Sequence, residues 1–301
     1  MNKRKRSCSD DFIYSCEFTD LGTNSDLTSE MISSLGMNPV SYHNFEDGLT
    51  THMLYSDARL EVLETGRRVL EESHKWASMG VSLSHFNVRK IRREEWAESW
   101  KKFFKVMRVS SRITVKPAWI EYSPRDEKEI IIDIDPGMSF GPGKHATTKF
   151  CLRLLQHVCR RKPAASFLDV GCGSGILMIA ALKMGVPKAH GIDNDPLSID
   201  VAKENLIKNG IATGKFSLSL AGIEDAKLRL NSDCVAANII SSVISKNADK
   251  LLSFVKPGGS LVVSGILPSE YPEIKEKLEC LGAREIKSLS DGEWSAGLFE
   301  K

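Results

Sequence analysis

Apolar and polar positions along this 301-residue chain follow two periods, and the way these alternate divides it. Up to residue 90, short stretches of period 2 and period 3.6 take turns. Phe12–Phe18 predicts a strand, and Leu27–Leu35 a helix stopped at Gly36. Val40–Phe45 and Thr51–Tyr55 predict strands joined by the turn Glu46-Asp47-Gly48. Ala58–Met79 predicts a long helix with Leu60, Leu63, Val69 and Leu70 near one face and Gly80 behind it. Leu83–Arg89 predicts a closing strand. The order βαββαβ is that of a small ferredoxin-like α+β sandwich over residues 1–90.

The pattern then changes. Residues 91–105 are charged on most faces and predict a helical connector. Trp96 and Trp100 stand four apart on it, beside Phe103 and Phe104, and read as a packing seam. Ile113–Ile120 and Glu129–Ile134 predict strands entering a second domain, residues 106–301. Thr148–Arg160 predicts a helix. From Phe167 onward strands alternate with helices at Ile176–Leu182, Leu197–Asn209, Ser241–Phe254 and Ser269–Leu281. The intervening strands are Ala189–Ile192, Ser217–Leu220, Cys234–Ala237 and Ser260–Ile266, with Lys256-Pro257-Gly258-Gly259 as a helix stop. Ile286–Leu289 and Trp294–Phe299 flank Asp291-Gly292 and predict a hairpin. The whole is an α/β, Rossmann-like doubly wound sheet with a C-terminal antiparallel hairpin.

Composition narrows the classes. Net charge is +2, so no global field attracts a polyanion. Lys3-Arg4-Lys5-Arg6 reads as a solvated start, with contact to RNA as the alternative. No apolar run approaches the ~20 residues of a membrane span, and no signal peptide is expected. Seven cysteines form no Cys-x-x-Cys pair. Cys151, Cys159, Cys172, Cys234 and Cys280 lie in apolar segments and read as buried thiols of a reducing, cytoplasmic protein. The histidines show no ligand spacing, so no metal is expected.

The chemistry concentrates after residue 135. Asp169-Val170-Gly171-Cys172-Gly173-Ser174-Gly175 follows a strand and opens a helix, as in half of a nucleotide-binding unit. A dinucleotide fingerprint needs Gly at 176, where Ile176 stands. An acid, one residue and then Gly-x-Gly-x-Gly resembles instead the S-adenosylmethionine loop of class I methyltransferases. Asp193, 22 residues after Gly171, stands where an acid accepts from ribose hydroxyls. Its bland alternative is a helix N-cap, a task that Asp195 with Pro196 suits better. The loop from Asp135 to Thr148 holds three glycines and two prolines. Thr147 or Thr148 caps the helix that follows, and its amides suit the carboxylate of the cofactor. Asn238 closes a strand of the sheet and should face the transferred methyl; the alternative is a turn former. Ile239 and Ile240 follow it, so nothing aromatic stacks on a planar substrate, and a compact aliphatic amine fits better.

Together these residues resemble one family, the methyltransferases of large-subunit ribosomal protein L11. The resemblance runs through Trp96/Trp100/Phe103 and Asp135-Pro136-Gly137-x-x-Phe140-Gly141-x-Gly143-x-His145-x-Thr147-Thr148. It continues through the glycine loop, Gly191-Ile192-Asp193-x-Asp195-Pro196, Ala237-Asn238-Ile239, Ser264-Gly265-Ile266-Leu267 and Trp294. It implies a class I methyltransferase fold and S-adenosylmethionine as cofactor. Thr148, Gly171, Asp193 and Asn238 would bind that cofactor by the resemblance; the reading of the glycine loop adds Gly173, and that of the strand end makes Asn238 the catalytic candidate as well. The resemblance implies N-methylation of lysine or N-terminal amines on the ribosomal protein, by a monomer whose residues 1–90 recognise that substrate. Pro142, Lys144 and Ala146 depart from the family pattern in the loop beside the substrate. Methylation of another protein or of ribosomal RNA, and a non-catalytic cofactor-binding scaffold, are the alternatives.

Overall fold

The computed structural model describes residues 12–22, 25–37, 39–43, 49–84, 86–92, 105–134, 146–225 and 231–301. The chain divides into two compact units, Met1–Phe104 and Lys105–Lys301. The expected connector lies outside the described residues, apart from Lys105 and from Ile91 and Arg92, which belong to a strand.

In the first unit, β1 (Phe12–Asp20), β2 (Val40–His43), β3 (Thr50–Ser56) and β4 (Asn87–Arg92) form an antiparallel sheet of order β2-β3-β1-β4. Helices α1 (Ser25–Ser34) and α2 (Arg59–Trp76) complete the ferredoxin-like order. Cys16 and Phe18 of β1 and Leu54 of β3 bury themselves with Ile32 of α1 and Val62, Val69 and Trp76 of α2. The face of α2 differs from the expected one. Leu60 is 67% exposed, whereas Val62, Gly66, Val69, Ser73 and Trp76 are buried at spacings of three and four. At Gly66 a Cβ would stand 2.7 Å from the Phe86 ring, so this glycine marks a close approach. The closing strand runs Asn87–Arg92 rather than Leu83–Arg89; Leu83 forms a lone bridge to Asp20.

The second unit opens with a small sheet of β5 (Met107–Arg108), β6 (Ile113–Lys116) and β7 (Ile130–Asp133). The strand expected to reach Ile120 stops at Lys116, because Pro117 lacks an amide hydrogen and its carbonyl closes a turn onto the Ile120 amide. Helix α3 (Ala146–Arg161) leads into β8 (Ser166–Val170), α4 (Ile176–Lys183), β9 (Lys188–Asp193), α5 (Pro196–Lys208), β10 (Phe216–Leu220) and β11 (Ser232–Asn238). Then come α6 (Ser241–Lys246), α7 (Ala248–Ser253), β12 (Val255–Ile266), α8 (Tyr271–Cys280), β13 (Arg284–Ser290) and β14 (Ser295–Glu300).

The large sheet has the order β10-β9-β8-β11-β12-β14-β13. Strands β8 to β12 are parallel, and β14 inserts antiparallel between β12 and β13. Parallel strands covered on both faces must be apolar throughout. Val235, Ala236 and Ala237 of β11 and Leu261, Val262 and Val263 of β12 accordingly divide between the clusters on the two faces. Every residue from Ile176 to Leu182 of α4 is buried, which is why that helix reads as a continuous apolar run.

Three local expectations fail for identifiable reasons. The single helix Ser241–Phe254 is two, because Asn247 leaves helical geometry and its amide donates to the Val243 carbonyl at 3.0 Å. Lys256–Gly259 follows a helix end but belongs to β12, paired with Lys301 at the chain terminus. Cys280 is exposed and Cys159 half-buried, whereas Cys151, Cys172 and Cys234 are buried as expected.

Candidate active site

Ligands of open α/β sheets sit beyond the carboxyl ends of the strands, where the strand order reverses. Here β9 and β11 flank β8, so the reversal lies over the end of β8. The glycine loop starts there. Gly171, Gly173 and Gly175 all have left-handed backbones, with φ of 71°, 50° and 75°. A side chain is strained in that region, so the loop needs glycine at all three. The amides of Gly171 and Cys172 bond the Ile192 carbonyl at 2.9 and 3.0 Å and anchor the loop to β9. A Cβ on Gly171 would meet Ile239 Cγ2 at 2.5 Å, and one on Gly175 would meet Ala202 of α5 at 3.2 Å.

Asp193 ends β9 beside this loop. Its Oδ2 accepts from the Gly173 amide at 2.8 Å and its Oδ1 from the Asp195 amide at 3.0 Å. A carboxylate has about four acceptor positions, so two remain for a ligand. The N-cap of α5 is Asp195, which accepts from the Leu197 amide, with Pro196 in the first turn. Asp193 is therefore free of that duty.

Asn238 ends β11 and is partly buried. Its Nδ2 donates to Thr148 Oγ1 at 3.4 Å. Thr147 and Thr148 lie within the first turn of α3 and are buried, rather than capping the helix from outside as expected. The neighbouring Ser264 of β12 donates to the Thr147 carbonyl at 3.3 Å, which fastens this turn to the strand ends. Gly265, with φ of 84°, leaves room for the Ile239 backbone. Ile239 is thus wedged between two left-handed glycines, 171 and 265. The five expected site residues form one continuous edge: Gly171 and Gly173 meet Asp193 and Ile239, and Asn238 meets Thr148. The loop with His145, Pro142 and Lys144 lies outside the described residues.

One feature escaped the motif reading. Asp169, the acid of the glycine loop, is 1% exposed, and neither carboxylate oxygen makes a well-formed hydrogen bond among the described residues; only the Met178 amide lies near enough to favour its charged form. Burial, reinforced by the charge of Asp193, holds its carboxyl well above the usual range. Ser174 Oγ is equally buried and unpaired. The acid ahead of the glycines was legible as a motif letter; its isolation was not.

Fold and edge together define a class I methyltransferase. A family model described as ribosomal protein L11 methyltransferase (PrmA) matches residues 31–301. The chain is 41% identical over 227 residues to a ribosomal protein L11 methyltransferase of Caldanaerobacter subterraneus subsp. tengcongensis, spanning 74% of this chain and 71% of that one. It is 36% identical over 227 residues to the Bacillus subtilis protein of that name, with the same coverage. A crystal structure of ribosomal protein L11 methylase from Lactobacillus delbrueckii subsp. bulgaricus superposes with a TM-score of 0.58 at 28% identity, covering 64% of this chain and 96% of that one. The chain belongs to the ribosomal protein L11 methyltransferase family, whose methyl donor is S-adenosylmethionine.

The residues present fit that donor. It carries ribose hydroxyls, and Asp193 keeps acceptor positions beyond those used by the Gly173 and Asp195 amides. Glycine backbones leave the loop without Cβ atoms, so a ligand can lie against it.

Proposed function

We propose that this chain methylates amines of ribosomal protein L11, on lysine or the N-terminus, using S-adenosylmethionine. The observation that carries the reading is the Asn238–Thr148 hydrogen bond at the reversal of strand order. When bound, the cofactor supplies a methyl group on a positively charged sulfur. The rest is positioning of two reactants, worth several powers of ten in rate. Asn238 commits its amide N–H to Thr148, so its carbonyl oxygen is left to accept from a substrate N–H. That fixes a neutral amine with its lone pair free. A lysine amine, with pKa near 10.4 in water, must first lose a proton. Apolar Ile239 and the exposed Ile240 beside Asn238 disfavour the cation and offer aliphatic rather than aromatic contact.

In this reading Gly171 and Gly173 lie under the cofactor, Asp193 accepts from its ribose hydroxyls, and Thr148 lies near its carboxylate. Residues 1–90 select the substrate, residues 91–105 connect, and residues 106–301 bind cofactor unaided. The enzyme acts as a cytoplasmic monomer without metal. Among the described residues no helix is long and apolar enough to cross a membrane, and no group of three or more His, Cys, Asp or Glu side chains could hold a metal ion.

The test is incubation of the full chain with ribosomal protein L11 and labelled cofactor, beside naked ribosomal RNA. Label should enter the protein as methylated amine. Label found only in RNA would overturn the reading, and no transfer to either would favour a non-catalytic scaffold.

A further inference from the structure

Helix α3 links two ends of the catalytic unit. Its first turn lies at the site, and Arg160 in its last turn stands about 18 Å further along the axis at 1.5 Å per residue. That last turn is a ridge between two concavities. On one side Gln156, Cys159 and Arg160 line a cavity of about 670 Å³, shared with Arg112, Lys128 and Lys183. On the other, His157, Arg161 and Lys162 line a smaller one of about 260 Å³.

The cations here outnumber the acids that face them. Glu127 and Glu129 line the larger cavity and Glu300 the smaller one, but Arg284 pairs with Glu300, and Arg125 binds the Glu129 carboxylate and holds its pKa near 2, with further bonds from Thr114 and Tyr122. Its charge is committed to Arg125. Among the described residues Arg112, Lys128, Arg160, Arg161 and Lys287 make no ion pair. His157 registers the result: burial and then the positive charges of Lys287, Arg161 and Arg160 push its pKa down. Basic residues at a helix C-terminus ordinarily answer the helix dipole, which accounts for Arg160 and Arg161. It does not account for Arg112, Lys128 and Lys287, which reach the same end from other elements.

We propose that this basic ridge is a docking surface for the phosphodiester backbone of structured RNA. The inference rests on the reading of the substrate as a ribosomal protein, which occurs against RNA. Unpaired cations on both sides of a ridge one helix wide complement a repeating row of phosphates. No Phe, Tyr or Trp lines either cavity, so the surface lacks the stacking groups that read unpaired bases. Nor does it offer the aromatic-rich core of a protein interface.

The experiment uses the full chain, a fluorescently labelled RNA hairpin and anisotropy between about 50 and 200 mM salt. The variant is the triple change Arg160→Gln, Arg161→Gln and Lys287→Gln. Wild type should bind with strong salt dependence. The variant should lose at least about tenfold in affinity at the low-salt end, and about 2 from the log–log salt slope, at 0.7–0.9 per phosphate contact. Its affinity for S-adenosylmethionine should not change. Should the triple variant melt early, Lys287→Gln alone, on an exposed strand position, should still flatten the slope by nearly one. Equal RNA affinity of wild type and folded variant would overturn the proposal. So would displacement of the RNA by polyglutamate or anionic vesicles at matched charge. Methylation is scored separately on free ribosomal protein. Its absence alongside charge-dependent RNA binding would fault the enzymatic reading and support the docking surface.

Discussion

In the N-terminal unit Asp20 and His52 are buried with their polar atoms engaged; in the catalytic unit Asp169 and Ser174 are buried as deeply with their side chains unengaged. Asp20 accepts from the Gly22 amide at 2.8 Å and meets His52 Nε2 at 3.3 Å. His52 Nδ1 meets Ser41 Oγ at 2.7 Å, and Ser41 reaches Ser29 of α1 at 3.2 Å. This chain of bonds ties α1 to the sheet. Burying a polar group costs free energy unless it is paired, so a satisfied network specifies a packing. An unsatisfied one is a standing cost that a ligand can relieve. The two units therefore differ in how their buried polar groups are satisfied: one set is engaged within the fold, the other carries an unrelieved cost.

The contrast can be broken by mutation, and the largest effect is expected in the N-terminal unit. Asp20→Ala leaves both the Gly22 amide and buried His52 without their acceptor, at about 1–3 kcal/mol for each group, and should cost about 3 kcal/mol or more in denaturant unfolding of that unit. A loss below about 1 kcal/mol would show the network to be ornamental. Next comes Asn238→Ala, which frees Thr148 and removes the carbonyl proposed to orient the amine. Turnover should fall about 100-fold, or ~2.7 kcal/mol, with a much smaller change in cofactor affinity. Unchanged turnover removes Asn238 from the mechanism. Asp193→Ala deletes the acceptor of the Gly173 and Asp195 amides and, in the proposed function, of the ribose. Calorimetry should show cofactor affinity weakened tenfold or more, about 1.5–3 kcal/mol.

Asp169→Asn sharpens the contrast through pH. The folded carboxyl has a raised pKa, so the folded state keeps a proton that the unfolded chain releases above about pH 4. Stability from this group is therefore present below about pH 4 and falls as pH rises towards the folded pKa. The amide has no such proton to lose. Without cofactor, the variant should be more stable than the parent at pH 7 and lose that part of the slope. A variant less stable than the parent at pH 7 would mean that Asp169 is satisfied in solution. The smallest effect on cofactor affinity is expected from removing the N-terminal unit. A chain beginning at Lys105 should bind S-adenosylmethionine within about threefold, under ~1 kcal/mol, yet fail to methylate the ribosomal protein. Full activity on that protein would refute the recognition role of residues 1–90.

Much of this was readable before the structure. The succession of strands and helices along the chain followed from short apolar segments separated by glycine and proline, because in a doubly wound sheet each segment is buried whole. Gly171, Gly173 and Gly175 announced left-handed turns, and Asp195-Pro196 a helix start. The misreadings arose where distant residues decide. Leu60 has the right character for a core face, but Val62 and Gly66 are the positions that meet the sheet and Phe86. Lys256–Gly259 has the composition of a turn, yet Lys301, at the far end of the chain, draws it into a strand.

The sequence alone determined the alternation of elements, the glycine loop, and the identity of Thr148, Asp193 and Asn238 as candidates. These are local properties: backbone freedom, periodicity and spacing along the chain. Only the tertiary structure decided that Asn238 would hand its amide to Thr148, 90 residues away, and that Ile239 would be wedged between Gly171 of the glycine loop and Gly265 of β12. Only it left Asp169 unpaired and gathered Arg112, Lys128, Arg160 and Lys287 at one end of the unit. Hydrogen bonds and charges act over a few ångströms in space, and distance along the chain does not report which groups will come that close.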